Sequence, residues 1–89
     1  MTRDEILAKA LRHYGIKHQM VKTLEELAEL SQAIAKLWAE EGDVTNVAEE
    51  IADVRIMTDQ VAMALQLEDA VHRVEAEKLV RLKRRIEND

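Results

Sequence analysis

The chain has 89 residues, room for one hydrophobic core and hence one domain, residues 1–89. It is 47% hydrophobic and 35% charged with a net charge of −5, which excludes a disordered polyelectrolyte, and no apolar run approaches the length of a membrane span. It has no cysteine, so neither a disulfide framework nor a thiolate metal site is available.

The first ten residues, MTRDEILAKA, lack the apolar stretch of a secretory leader, and a cytoplasmic address is expected. The absence of Pro and Phe, together with only two Gly, predicts helices throughout and an all-α fold. Helix one is predicted over about 2–14, with Thr2 as N-cap, Glu5 in capping-box position and Gly15 as terminator.

Helix two is predicted from Ile16 or Lys17 to Glu41, with Leu24, Leu27, Ser31, Ile34 and Trp38 as its inner stripe. Gly42 should end it, and GDVTN should form the turn. Asn46 followed by Glu49 reads as a capping box opening helix three, whose inner stripe would be Val47, Ile51, Val54, Thr58, Val61 and Leu65. A break is expected near Leu67, where Glu68 and Asp69 suit a helix N-terminus, and helix four covers about 69–87. The simplest architecture is an antiparallel hairpin of helices two and three flanked by one and four. So short a core buries little by itself, so self-association is expected.

Two acidic stretches echo each other: EELAEL at 25–30 and EEIADV at 49–54. Positions i and i+3 share a helix face, so Glu26 projects with Glu29, and Glu50 with Asp53. An antiparallel hairpin lets all four meet. Carboxylates gathered in a half-buried space repel each other and are costly to desolvate. A hard divalent cation, Mg²⁺ or Mn²⁺, is the natural counter-charge because it takes oxygen ligands. Glu-x-x-Glu on a helix more often marks a solvated face. A di-iron carboxylate bundle would need Glu-x-x-His, whereas HRVE at 72–75 runs in the reverse order.

These residues, Gln19 with EELAEL and Asn46 with EEIADV, resemble the all-α MazG-like nucleoside triphosphate pyrophosphohydrolases, whose hallmark is E-x-x-E on one helix and E-x-x-D on the next. The likeness extends over roughly 14–86, with twenty residues between Glu29 and Glu50. It implies a small antiparallel four-helix bundle completed by oligomerisation as a homodimer or homotetramer. It further implies Mg²⁺-dependent cleavage of a nucleoside triphosphate between the α and β phosphates, giving monophosphate and pyrophosphate, with Mn²⁺ as a possible substitute. Glu26, Glu29, Glu50 and Asp53 would be the catalytic metal ligands. Glu25 and Glu49 are read more simply as solvent-facing charge.

The same resemblance assigns Lys78 and Arg81, an i, i+3 pair in the basic segment KLVRLKRR, to the triphosphate, with Arg84 and Arg85 behind them. Basic residues late in a helix also simply favour its dipole. Gln19 would contact the base, whereas Trp38 is better placed in the core or a subunit interface and His18 at the surface. Two rival expectations stand beside the enzyme: a catalytically idle helical module for oligomerisation or partner binding, and a nucleic-acid accessory protein. Residues 78–85 carry +5, leaving −10 for the remainder, so nucleic acid is an unfavoured partner.

Overall fold

The computed structural model describes residues 1–89 and contains four α-helices and no strand: α1 (Arg3–Tyr14), α2 (Ile16–Trp38), α3 (Val44–Ala64) and α4 (Glu68–Asn88). Each boundary has a chemical cause. Thr2 Oγ1 accepts the Glu5 backbone N–H at 3.1 Å and opens α1. Gly15 separates α1 from α2 at φ +89°, a left-handed backbone in which any other residue is strained.

α2 ends at Trp38, three residues before the predicted Glu41. The Glu41 N–H bonds Lys36 O at 2.9 Å and the Glu40 N–H bonds Leu37 O at 3.1 Å, with Glu40 at φ 64°. This is the Schellman arrangement, built here without glycine. Gly42 matters for closeness instead: a Cβ there would stand 3.1 Å from Lys36 Cβ. α3 ends in the same way, with Leu67 N–H on Ala62 O at 2.8 Å, Gln66 N–H on Met63 O at 3.1 Å, and Gln66 at φ 55°. The predicted break near Leu67 therefore exists, and α4 is a separate helix.

The cap of α3 differs from expectation. Asp43, not Asn46, is the N-cap, its Oδ1 accepting the Asn46 N–H at 2.8 Å. Aspartate three residues earlier satisfies the same orphan donors, and the helix starts sooner.

α2 and α3 form the principal interface and run antiparallel, as the bond between Gln19 and Gln60 and the approach of Glu29 to Glu50 require. α1 packs on both, whereas α4 packs on α3 alone and has no buried residue. The fold is thus a three-helix core with a fourth helix laid against one member. The radius of gyration is 15.8 Å, against about 12 Å for a compact domain of this length.

The α2 face that turns inward is Gln19, Thr23, Glu26, Leu30 and Ala33, of which Leu30 is half-buried and the rest are buried. The predicted stripe stands outside: Leu24 is 67% exposed and Trp38 90%. On α3 the prediction holds in part, since Val47, Val54 and Val61 are half-buried while Ile51, Thr58 and Leu65 are exposed. Periodicity reports spacing on a helix but not which of two adjacent faces is innermost when polar residues occupy the seam. Buried apolar residues are accordingly few: Leu7, Ala33 and Met57.

Candidate metal centre

The seam between α2 and α3 is polar along most of its length. At one end Gln19 Nε2 donates to Gln60 Oε1 at 2.8 Å, and Gln19 Oε1 lies 2.8 Å from His18 Nδ1. Gln60 Nε2 in turn donates to Ile56 O at 3.3 Å. Thr23 Oγ1 donates back to Gln19 O at 2.7 Å, which spares a buried hydroxyl the cost of desolvation. Gln19, expected at a base, is a buried residue of this network with both amide atoms engaged. His18 is exposed, and its ring stacks on Tyr14 at a centroid distance of 5.1 Å.

Further along the seam the polar character becomes anionic. One carboxylate oxygen each from Glu26, Glu29 and Glu50 lies within 4.8 Å of the others. Glu26 is buried, Glu50 half-buried and Glu29 exposed, so the group opens from the helix interface to solvent. Asp53 lies on the surface one turn beyond Glu50 and acts on it through its charge. The expected acids are therefore brought together, three tightly and the fourth alongside.

Electrostatics shows the cost of this gathering. Burial pushes the Glu50 carboxyl above the usual carboxylate range, and the neighbouring charges of Glu29, Asp53 and Glu26 push it further, as does a hydrogen bond to Glu29. Glu26 Oε2 and Glu50 Oε2 are buried with no hydrogen-bond partner. Two orphaned acceptors in one cluster leave a demand that a cation or proton must meet. Three carboxylates from two helices form the hard, all-oxygen donor set that Mg²⁺ or Mn²⁺ selects, so the residues present fit such an ion.

Lys22 is the site residue absent from the sequence expectations. Its Nζ lies 3.3 Å from Glu26 Oε1 and 3.6 Å from Glu25 Oε2. The hydrogen bond to Glu26, followed by the charges of Glu26 and Glu25, raises its proton affinity above that of a free lysine. Its signal was present in the sequence as an i, i+4 Lys–Glu pair within one turn of the acidic motif. Glu25 is an exposed partner of Lys22, and Glu49 is exposed.

Lys78 and Arg81 lie on the exposed surface of α4, which makes no contact with α2. Within one chain they are not assembled with the carboxylates. No helix is long and apolar enough to cross a membrane. Comparisons of the chain with protein-family models, with curated proteins and with solved structures returned no match.

Proposed function

We propose that the chain is a Mg²⁺-dependent nucleoside triphosphate pyrophosphohydrolase of the MazG-like kind, acting as a homo-oligomer. The observation that carries this reading is the convergence of Glu26, Glu29 and Glu50 within 4.8 Å, with two buried carboxylate oxygens lacking partners. Glu26, Glu29, Glu50 and Asp53 hold the cation, and Mn²⁺ can replace Mg²⁺ because both prefer oxygen donors. Such a cation supplies charge neutralisation for a polyphosphate and activates water as a nucleophile.

The remaining chemistry belongs to the chain. Water attacks the α-phosphorus, the bridge to the β-phosphate breaks, and pyrophosphate leaves with the bond electrons. The proton lost by the water passes to a carboxylate. Lys22 holds Glu26 Oε1, which leaves Oε2 free for the cation.

The test is pyrophosphate release from a panel of ribo- and deoxyribonucleoside triphosphates with Mg²⁺ or Mn²⁺, and with chelator. Chelator-sensitive pyrophosphate with equimolar monophosphate is the expected result. Folded protein that binds Mg²⁺ yet leaves every triphosphate intact would overturn it. That outcome favours the second reading, a catalytically idle helical module, which draws its own support from a helix, α4, with no buried residue.

A further inference from the structure

α4 carries more apolar surface than any role inside one chain requires. Leu67 at its N-cap, then Val71, Val74, Leu82 and Ile86, follow one another at spacings that keep them on one side of the helix, and all are exposed. Exposures run from 38% at Val74 to 65% at Ile86, although the helix packs only on α3. A groove of about 560 Å³ runs along this side, with Leu67, Val71, Val74, Lys78 and Leu82 in its lining. A contiguous apolar strip of this kind marks a contact surface.

Charge along α4 identifies the occupant. Residues 68–77 carry Glu68, Asp69, Glu75 and Glu77 against Arg73, a net −3, while residues 78–86 carry Lys78, Arg81, Lys83, Arg84 and Arg85, a net +5. A parallel copy would set like charge beside like. An antiparallel copy sets the acidic half beside the basic half.

One register satisfies both patterns. With the midpoint between residues 76 and 77, Val71 comes level with Leu82 of the other copy, Val74 with Leu79, and Leu67 with Ile86. In the same register Lys78 comes level with Glu75. Each of these three apolar layers thus meets an apolar layer, Ala70 falls level with Lys83, and the central cation meets an anion.

We propose that α4 is an isologous dimer interface, pairing antiparallel with α4 of a second copy of this chain about a two-fold axis between residues 76 and 77. Such an axis places the same surface on both partners, the usual form of a two-fold dimer. It gives Lys78 a place at the subunit contact. The proposal rests on the homo-oligomer of the proposed function and gives it a contact surface, but it does not depend on the chemistry of the carboxylate cluster, in which none of these residues lies.

Light scattering after gel filtration supplies the first arm, in which the wild-type chain elutes at twice its 10.2 kDa mass. Val71→Asp should raise the dimer dissociation constant at least about tenfold, since a charge is then buried in an apolar contact. Circular dichroism should keep its helical signal, because Val71 is half exposed already.

Orientation is read by cysteine cross-linking, which is unambiguous in a chain without native cysteine. Val71→Cys combined with Leu82→Cys should give a covalent dimer on oxidation. An intrachain bond is out of reach, since eleven residues of helix span about 16 Å and a disulfide needs Cα atoms within about 7 Å. Val71→Cys alone should remain non-covalent. A monomeric wild type, a dimer indifferent to Val71→Asp, or efficient cross-linking by Val71→Cys alone each overturns the proposal; the second places the contact on another surface, and the third makes the pairing parallel.

Discussion

Gln19 Nε2 donates to Gln60 Oε1 at 2.8 Å across 41 residues of sequence, and this one bond sits at the register that assembles the acidic cluster. Counting inward from it along antiparallel α2 and α3, Glu26 comes level with Asp53 and Glu29 with Glu50. Gln60 is 2% exposed and Gln19 6%, so neither amide has water to fall back on. Gln60→Leu should therefore cost about 1–3 kcal/mol, the penalty of a buried donor left without a partner. Urea unfolding checks it, and Gln19→Leu with Gln60→Leu should cost less than the two single changes added together.

Glu50 makes stability depend on pH in an unusual direction. Its folded-state proton affinity is raised, so between the ordinary carboxylate range and its raised value the unfolded chain ionises while the folded chain keeps its proton. Stability from this group is therefore lost as pH rises through that window, and the loss persists above it. Metal-free Glu50→Gln should melt higher than wild type above that window and show a flatter dependence on pH across it. Thermal melts in chelator measure both, and an unchanged pH profile would count against the strain assigned to the cluster.

Lys22 offers a complementary experiment. Its bond to Glu26 supplies the charge compensation present within the chain. Lys22→Met should lower the melting temperature in chelator, because Glu26 is then buried against other acids without a cation. Saturating Mg²⁺ should recover most of the loss, since an ion held by the same carboxylates stabilises the state that binds it. Equal loss with and without Mg²⁺ would separate Lys22 from the metal centre.

The ends of α2 and α3 hold Glu40 and Gln66 in left-handed backbone, at φ 64° and 55°. Glycine adopts that conformation without the Cβ penalty of about 1–2 kcal/mol. After allowance for its greater freedom when unfolded, Glu40→Gly and Gln66→Gly should each stabilise the fold by about 0.5–1 kcal/mol. Chemical denaturation of the two variants, singly and together, tests this, and their places at opposite ends of the antiparallel hairpin predict additivity.

At the start of α3 the two candidate caps are separable. Asp43→Ala should cost about 1 kcal/mol, because the Asn46 N–H loses its acceptor, whereas Asn46→Ala should cost much less. The ranking of the two denaturation midpoints decides between them.

The sequence by itself determined the helices and the partners in the acidic site. Glycine at 15, a capping threonine at 2 and carboxylates three apart are local signals, and each acts over a single turn whatever the rest of the chain does. The i, i+3 geometry that aligns Glu26 with Glu29 and Glu50 with Asp53 is a property of any α-helix. It needed only an antiparallel hairpin to bring the pairs together.

What tertiary structure alone decided is the phase of the helices. Leu24, Leu27, Ile34 and Trp38 have helical spacing, yet the seam is Gln19, Thr23, Glu26, Leu30 and Ala33, one step around α2. A polar seam becomes possible only when buried groups find partners on another helix, as Gln19 does at Gln60, and such partners lie too far away in sequence for any local pattern to announce. The same holds for α4, whose apolar residues have helical spacing: that α3 covers so little of them follows from where the hairpin ends. The Schellman turn at 65–67 sets the direction in which α4 departs, and so leaves its apolar side uncovered.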